Sequence, residues 1–205
     1  MTDEAGERDG GNESGRSVEG WPVDLNGVVE SVVTTLGPND RWNAAALGLR
    51  AGDPVTARTW GATRTRRNFT ERGGGYVQFT RDPVDFVEAA CSVREEPDPV
   101  LASADAWARV EVSRIDSGET GGTEWIDWAL RPVEAAVERR VVPTTDRARA
   151  AVVEATVAAS RLDVPGYDEA ALRERIRYFE DVVERCGGPR AGAAWERFEE
   201  LVEWR

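Results

Sequence analysis

The strongest indication of chemistry in this chain lies between residues 54 and 70. The segment holds four arginines, five threonines and no acidic residue, although Asp and Glu occupy 38 of the 205 positions. Four of its residues lie where a predicted strand leads into a short predicted helix: Arg64, Thr65, Arg66 and Asn68. Helix-start amides, hydroxyls and forked guanidinium groups together bind a terminal phosphate. The segment therefore predicts an anion site, and the alternative is that its arginines pair with surface carboxylates.

A run of small residues in a predicted strand is the second candidate. Asn43, Ala44 and Ala45 follow Trp42 and precede Gly48. Small side chains let a flat ligand approach the backbone, and an asparagine amide can donate to and accept from the edge of a heteroaromatic ring. The alternative is a tightly packed barrel strand whose alanines face a helix. From the residues alone this packing interpretation is favoured.

Two tryptophans and several acids nearby give weaker signals. Trp125 and Trp128 are three apart, so on a strand they point to opposite faces. At most one of them can stack on a ligand, and the other is predicted to lie in the core. Nothing separates Asp127, Glu134 and Glu138 from the many solvated acids, and no catalytic role is assigned to them.

Two residue types are missing, and their absence excludes several classes of enzyme. The chain has no histidine, and all 26 basic residues are arginine. Without lysine there is no Schiff-base enzyme and no P-loop, and without histidine there is no catalytic triad and no imidazole metal site. Cys91 and Cys186 lie far apart and are predicted to be small core residues. No metal site is predicted.

Short alternating segments dominate residues 21–143 and predict a small antiparallel barrel or sandwich. The predicted strands are residues 28–36, 42–49, 55–60, 76–80, 106–115, 125–130 and 137–142. Short helices are predicted at residues 65–71 and 83–90, with Asp82 as the cap of the second.

The period changes to that of helices in residues 144–205. Thr144 or Thr145 is predicted to cap the first helix and Asp168 the second. The apolar stripes of the three helices are Ala148, Val152, Ala155, Ala159 and Leu162, then Leu172, Ile176, Phe179, Val183 and Cys186, and finally Ala191, Ala194, Phe198 and Leu201. Three amphipathic helices predict a helical domain after the barrel.

The charge pattern predicts where the protein works. The formal net charge is −12, which disfavours nucleic-acid binding. Acid-rich, lysine-free composition predicts a salt-adapted cytoplasm, and a GC-rich genome is the alternative explanation. Residues 1–20 are rich in glycine and acids and predict a disordered tail. No segment has the apolar length of a membrane span, so a soluble cytoplasmic protein is expected.

The sequence as a whole resembles the FMN-binding split-barrel superfamily, which is also called flavin-reductase-like. Within it, the sequence is most similar to the uncharacterised archaeal branch that has a C-terminal helical domain. The matching text is Gly27-Val28-Val29-Glu30 with Thr34-Thr35, Trp42-Asn43-Ala44-Ala45 with Leu47-Gly48, Thr65-Arg66-Arg67-Asn68 with Glu71 and Gly73, Phe79-Thr80-Arg81-Asp82, Val153-Glu154-Ala155 and Ser160-Arg161. The order and spacing of these motifs together carry the resemblance.

The resemblance implies a fold that is mainly β with α: a six- or seven-stranded antiparallel split barrel at residues 21–143 and a three-helix domain at residues 144–205. It also implies a homodimer with FMN near the interface. The cofactor-binding residues that it implies are Asn43, Ala44, Ala45, Arg64, Thr65, Arg66, Asn68 and Thr80. One departure is Ala46, where many relatives have proline.

Three functions follow from the resemblance, and the sequence leaves all three open. The first is a flavoprotein that uses bound FMN, with the flavin carrying any redox chemistry. The second is a reductase of free flavin, for which FMN is a substrate. The third is a structural or regulatory barrel without turnover. No motif identifies a substrate, an electron donor or a catalytic residue.

Overall fold

In the first two thirds of the chain, short apolar segments separated by turn residues form antiparallel strands. The computed structural model describes residues 16–17 and 19–205. The strands are β1 (Arg16–Ser17), β2 (Val28–Leu36), β3 (Trp42–Arg50), β4 (Val55–Trp60), β5 (Gly74–Thr80), β6 (Arg94–Glu96), β7 (Ala104–Thr120) and β8 (Thr123–Val137). The helices are α1 (Arg64–Arg72), α2 (Pro83–Cys91), α3 (Arg147–Ala159), α4 (Glu169–Cys186) and α5 (Pro189–Leu201).

Six of the strands close into a barrel, and the predicted antiparallel split barrel is confirmed. The sheet runs β8-β4-β3-β2-β5-β7, and β7 pairs back with β8 to complete the ring. The short β6 pairs with β3 outside this path, and β1 pairs with β8. The closing pair of β7 with β8 gives the two end strands of this path a partner on each side.

The barrel interior is filled by the inward residues of the alternating strands and by one aromatic ring from α1. Phe69 of α1 is 1% exposed and meets Trp128 of β8 edge to face, with ring centroids 5.4 Å apart. The other buried members include Val33, Leu49, Val77, Ala108, Val110 and Leu130. Phe69 therefore fixes α1 to the barrel, and Gly73, with φ +69°, ends that helix.

The barrel is split between β3 and β4. These strands pair at only two positions, Leu49 with Ala57 and Arg50 with Thr56. Toward its start β3 pairs instead with β6, through residues 42–44. In the described chain, residues 45–48 of β3 have a strand partner on one side only, and α1 begins in the gap that β4 leaves.

The last two strands differ from the prediction. β7 and β8 are 17 and 15 residues long, and they turn at Gly121 and Gly122, which both have positive φ. β7 pairs with β5 only as far as Glu111 and continues from there with β8 as its partner. The predicted strand at residues 137–142 is wrong. Val137 ends β8, and the backbone N–H groups of the next two residues bond to the carbonyl oxygen of Asp105, which leads the chain away from the sheet.

The three predicted C-terminal helices are present, with two differences. The first is capped by Asp146, whose side chain accepts from Arg149 N, and not by a threonine. Cys186, predicted to lie in the core, is exposed. The core of these helices includes Val152, Ile176, Trp195 and Phe198, and it also takes in Val87 of α2. Helix α2 therefore joins the barrel to the helical domain.

Most of the predicted tail, residues 1–20, lies outside the described residues. Within it, Arg16 and Ser17 pair with residues 136–137 of β8. In the described part of the chain, no helix is both long enough and apolar enough to span a membrane.

Candidate functional site

A cavity of about 800 Å³ lies over the outer side of β3 at the split of the barrel. Its floor is residues 43–48 of β3, and its walls come from the end of β4, the start of α1, the second half of α2 and the C-terminal end of α3. Small-molecule sites commonly have volumes of about 300–1,000 Å³. The split therefore produces a cavity of ligand size between the barrel and the helical domain.

The floor places three predicted site residues in the cavity: Asn43, Ala44 and Ala45. Asn43 is 6% exposed, and its side chain makes no hydrogen bond to any described residue. Its amide atoms keep some solvent access, since in the described chain the fully buried side-chain N and O atoms without a partner are the indole nitrogens of Trp195 and Trp204. Asn43 lines the cavity, so a ligand there can supply a hydrogen-bond partner for the amide.

The start of α1 supplies donors at the other side of the floor. Thr63 caps the helix, with its hydroxyl oxygen accepting from Arg66 N and its carbonyl from Arg67 N. The backbone N–H groups of Arg64 and Thr65 bond to no described residue. Thr65 lines the cavity, is 5% exposed, and its hydroxyl also has no partner in the described chain. With no acid in the first turn, these groups make an anion-binding helix start.

The arginines of the segment divide between the two interpretations that the sequence left open. Arg64 lines the cavity and also donates to Glu95 at 2.6 Å. Arg66 lies outside the cavity lining, where it donates to Glu124 at 2.9 Å and to the carbonyl oxygen of Gly61 at 3.0 Å. Pairing with carboxylates therefore accounts for Arg66, whereas Arg64 is in reach of both Glu95 and the cavity.

Two further predicted residues lie apart from the cavity. Asn68 is 1% exposed and donates to the hydroxyl oxygen of Thr35 at 3.0 Å, tying α1 to β2. Thr80 donates to the carbonyl oxygen of Ser103 at 3.1 Å and accepts from Asp82 N at 3.0 Å, at the start of α2. Both side chains serve contacts that hold elements in place.

Arg58 is a cavity residue that the sequence did not single out individually. It donates to both oxygens of Asp127, at 2.7 and 2.6 Å, and its guanidinium carbon lies 3.8 Å from the ring centroid of Trp125. The bond from Arg58 holds the pKa of Asp127 below its usual range. Trp128 is 4% exposed, so the prediction that one of the two tryptophans lies in the core is confirmed.

Glu30 is a cavity carboxyl group to which the sequence analysis assigned no role, although it ends the Gly27-Val28-Val29-Glu30 motif of the resemblance. It lies on β2 opposite Gly48, where a side chain on that glycine would come within 3.4 Å of its carboxylate. The Glu30 side chain is exposed to solvent, but partial burial of its carboxyl group raises its pKa, and the nearby Glu154 carboxylate raises it further. The motif placed Glu30 on a strand and gave no reason to expect it at a cavity.

The helical wall was also missed. Residues 156, 157, 160 and 161, at the end of α3, line the cavity together with α2. Over a hundred positions separate them from β3, so no local pattern could associate the two. The Ser160-Arg161 motif carried part of the resemblance, but it pointed only to a helix.

The cysteines and acids leave no sign of a thiol or metal centre in the described part of the chain. Burial raises the pKa of Cys91 to about 12, which keeps the thiol protonated. Among residues 16–17 and 19–205, no group of three or more Cys, Asp or Glu side chains is arranged to hold a metal ion. The cavity is therefore the principal candidate site.

Two family models match the chain in succession. The first is described as the N-terminal domain of DUF447, a protein family of unknown function, and matches residues 29–139. The second is described as DUF447, again of unknown function, and matches residues 146–200.

Solved structures are similar to the chain at two levels. An FMN-bound protein from Methanosarcina mazei, of the DUF447 family model, is 26% identical; the match covers 87% of this chain and 96% of that one, with a TM-score of 0.72. A styrene monooxygenase flavin reductase from Pseudomonas putida is 13% identical over 57% of this chain and 93% of its own, at a TM-score of 0.40. An FMN-binding protein from Thermus thermophilus is 12% identical over 70% and 99%, at 0.34.

Proposed function

The chain belongs to the DUF447 family, and from this we propose that it binds FMN in the cavity at the split of the barrel. The observation that carries the proposal is that two polar residues with little exposed surface, Asn43 and Thr65, line one cavity and have side chains without a hydrogen-bond partner in the described chain. A relative of similar fold over nearly the whole chain, the Methanosarcina mazei protein, is FMN-bound. The residues present fit this cofactor at both of its ends.

The phosphate of FMN belongs at the start of α1. There the N–H groups of Arg64 and Thr65, the Thr65 hydroxyl and the Arg64 guanidinium supply hydrogen bonds and positive charge. Arg64 exchanges part of its bond to Glu95 for the phosphate. Arg66, Asn68 and Thr80 act indirectly in this proposal, since they hold α1 and α2 in position.

The isoalloxazine ring belongs over residues 43–48 of β3. Ala44, Ala45 and Gly48 are small enough for a flat ring to approach the backbone, and residues 45–48 have backbone groups on the side that lacks a strand partner. Asn43 can donate to and accept from the polar edge of the ring. This arrangement satisfies the amide that the unliganded chain leaves without a partner.

When bound, FMN supplies hydride or electron transfer, and the protein supplies position and electrostatics. The walls of α2 and α3 exclude water from one side of the cavity, and the paired Arg58 and Asp127 add a fixed charge pair beside it. The alternatives are a reductase that takes free FMN as substrate and a barrel without turnover. A bound cofactor is favoured because the cavity holds donors for both ends of FMN.

We expect the protein purified at high salt to carry visible flavin absorbance after gel filtration, and the flavin-free chain to bind FMN more tightly than riboflavin by at least about tenfold. The difference is the phosphate, which gains charge-assisted hydrogen bonds worth about 1.5–3 kcal/mol each. Calorimetric titration with both ligands measures it. Loss of the flavin during gel filtration, together with oxidation of a reduced nicotinamide that requires added flavin, would favour the reductase of free flavin. If neither flavin binds, the remaining alternative is a structural or regulatory barrel without turnover.

We also propose a homodimer that closes over the mouth of the cavity. Three apolar side chains at the cavity are exposed, Val28 at 65%, Trp60 at 43% and Val93 at 68%. Apolar groups of this kind around a site are characteristic of an interface. A second copy of the chain, seated on this rim, would cover them and the flavin together.

Light scattering at high salt is expected to give twice the chain mass for the wild type, and a lower mass for Val93→Glu, because a buried carboxylate in an apolar interface is unfavourable. Val142→Glu is the matched control, since Val142 is 85% exposed and lies away from the cavity. A monomeric wild type would contradict the dimer, as would equal dissociation by both variants.

A salt-adapted cytoplasmic setting completes the proposal. Cys91 and Cys186 are unpaired thiols, which is the usual state in a reducing compartment. All 26 basic residues are arginine among 38 acids, and many of these arginines form surface ion pairs. High salt screens the remaining negative charge of the surface.

A further inference from the structure

Most of the positive charge that lines the cavity is already compensated by the protein. Arg58 donates to Asp127 at 2.6 Å, and Arg50 lies 3.8 Å from the same carboxylate. Arg64 donates to Glu95 at 2.6 Å. These three arginines therefore have a carboxylate partner whether or not a ligand is present.

Arg161 is different. It lies just after α3 and lines the cavity, with a half-buried side chain. Its guanidinium makes neither an ion pair nor a side-chain hydrogen bond with any residue that the structure describes. Its guanidinium carbon lies 5.6 Å from the centroid of the Tyr167 ring. A guanidinium group has five N–H donors, and here none of them bonds to an acceptor in the described chain. At the wall of a cavity such a group is available to an anionic ligand.

The neighbours of Arg161 define what kind of ligand fits. The hydroxyls of Thr156 and Ser160 already donate to carbonyl oxygens of α3, at 2.7 and 2.9 Å. The rest of this wall is apolar, from Val157 together with Phe86 and Ala89 of α2. Arg161 is thus the free donor on an otherwise apolar surface, which suits a small ligand with an apolar body and one anionic group.

The helix itself favours a singly charged anion here. Phosphate sites are formed at helix starts, where the dipole is positive, but Arg161 lies at the end of α3, where the dipole is negative. Glu30 is the carboxyl group among the lining residues and adds further repulsion when ionised. A planar carboxylate matches the arginine fork and carries a single charge.

We propose that the end of the cavity formed by α3 binds a small apolar carboxylate beside the flavin, with Arg161 as the residue that binds its carboxylate group. This inference rests on the proposed FMN site, because the carboxylate is placed against the ring. At about 800 Å³ the cavity is near the upper end of the usual range and has room for a second small ligand. The helical domain thereby determines which substrate reaches the cofactor.

The test uses benzoate and its neutral isostere benzamide, titrated into FMN-loaded and flavin-free protein at constant ionic strength. Calorimetry measures both ligands, and flavin absorbance reports whether they lie against the ring. Benzoate is expected to bind the FMN-loaded wild type more tightly than benzamide and to change the flavin spectrum. Arg161→Gln should weaken benzoate by about 10- to 100-fold, as expected for a charge-assisted pair, and leave benzamide unchanged.

Three controls separate this role from others. Arg161→Lys keeps the charge without the fork and should restore part of the benzoate affinity. Arg177→Gln removes an exposed arginine of α4 outside the cavity and should change nothing. FMN affinity is measured for every variant and should stay at the wild-type value.

Several results would overturn the carboxylate site while leaving FMN binding intact. These are equal affinity for benzoate and benzamide, no loss in Arg161→Gln, or displacement of benzoate by inorganic phosphate at equal concentration, which would assign the site to a phosphorylated ligand. A parallel loss of FMN in Arg161→Gln would assign Arg161 to the cofactor and also overturn it. Failure of the wild type to bind FMN contradicts the proposed function instead, and the flavin-free titration then still tests whether Arg161 binds benzoate.

Discussion

Thr65→Val is expected to weaken FMN binding by about 10- to 100-fold and to leave riboflavin binding unchanged. Thr65 is 5% exposed, lines the cavity at the start of α1, and has a hydroxyl without a partner in the described chain. Valine keeps the shape and removes the hydroxyl, so the lost quantity is one hydrogen bond to a charged phosphate, about 1.5–3 kcal/mol. Riboflavin has no phosphate and therefore serves as the internal reference.

Thr70→Val is the matched control for this experiment. Thr70 lies on the same helix and is exposed, and its hydroxyl bonds to the carbonyl oxygen of Arg66 at 2.8 Å. It should therefore leave both affinities near the wild-type values. Equal losses of FMN and riboflavin in Thr65→Val would indicate damage to the fold. Unchanged FMN binding would show that the phosphate lies elsewhere in the cavity.

Phe69→Ala is expected to lower the free energy of unfolding by about 3–5 kcal/mol, the usual cost of removing a buried aromatic ring. Phe69 is 1% exposed and packs against Trp128 inside the barrel. Because this ring fixes α1 to the barrel, the variant should also bind FMN more weakly. Urea unfolding at fixed salt, followed by tryptophan fluorescence, measures the change in midpoint.

Tyr178→Ala is the control for loss of an aromatic ring at the surface. Tyr178 is 59% exposed on α4, and its loss should cost less than about 1 kcal/mol. A similar small cost for Phe69→Ala would mean that α1 is held mainly by other contacts, such as the bond from Asn68 to Thr35. In that case FMN affinity should also be unaffected.

Local signals in the sequence were enough to predict most of the barrel. Val28–Leu36 is rich in Val and Thr, Trp42–Arg50 is mostly small and apolar, and the turn residues Gly37-Pro38 and Gly52-Asp53-Pro54 follow them. Asp82 and Asp168 cap the helices at which they were predicted, since a carboxylate that accepts from helix-start amides is a local interaction.

The strands predicted at residues 106–115 and 125–130 lie within β7 and β8, but the outer part of this hairpin could not be predicted from its own residues. Beyond Val112, β7 is exposed on both sides, so no alternation of apolar and polar residues marks it as a strand. Its register with β8, from Ser113 paired with Ala129 to Thr120 paired with Thr123, supplies the backbone hydrogen bonds instead. Pairing between strands, and not burial of a face, determines this part of the fold.

The candidate site also combines features that the sequence predicts with features that only tertiary packing decides. Small residues after Trp42 and the acid-free helix start are local features, and both predicted groups, Asn43 and Thr65, line one cavity. Which side chains of the helix start face that cavity was decided by tertiary packing. Because Phe69 is held inside the barrel, Thr65 faces the cavity, Asn68 turns to Thr35 and Arg66 turns to Glu124.

The second half of the cavity is entirely a product of the tertiary structure. Helix α2 shares Val87 with the core of the helical domain, and this packing brings the end of α3 to the outer face of β3. Arg161 then lies by the cavity more than a hundred positions from Asn43. The sequence by itself determined the elements, their caps and the chemistry excluded by missing lysine and histidine. Only the packing of helix on barrel decided which charged groups meet around the ligand, because that contact joins residues with no local relation in the chain.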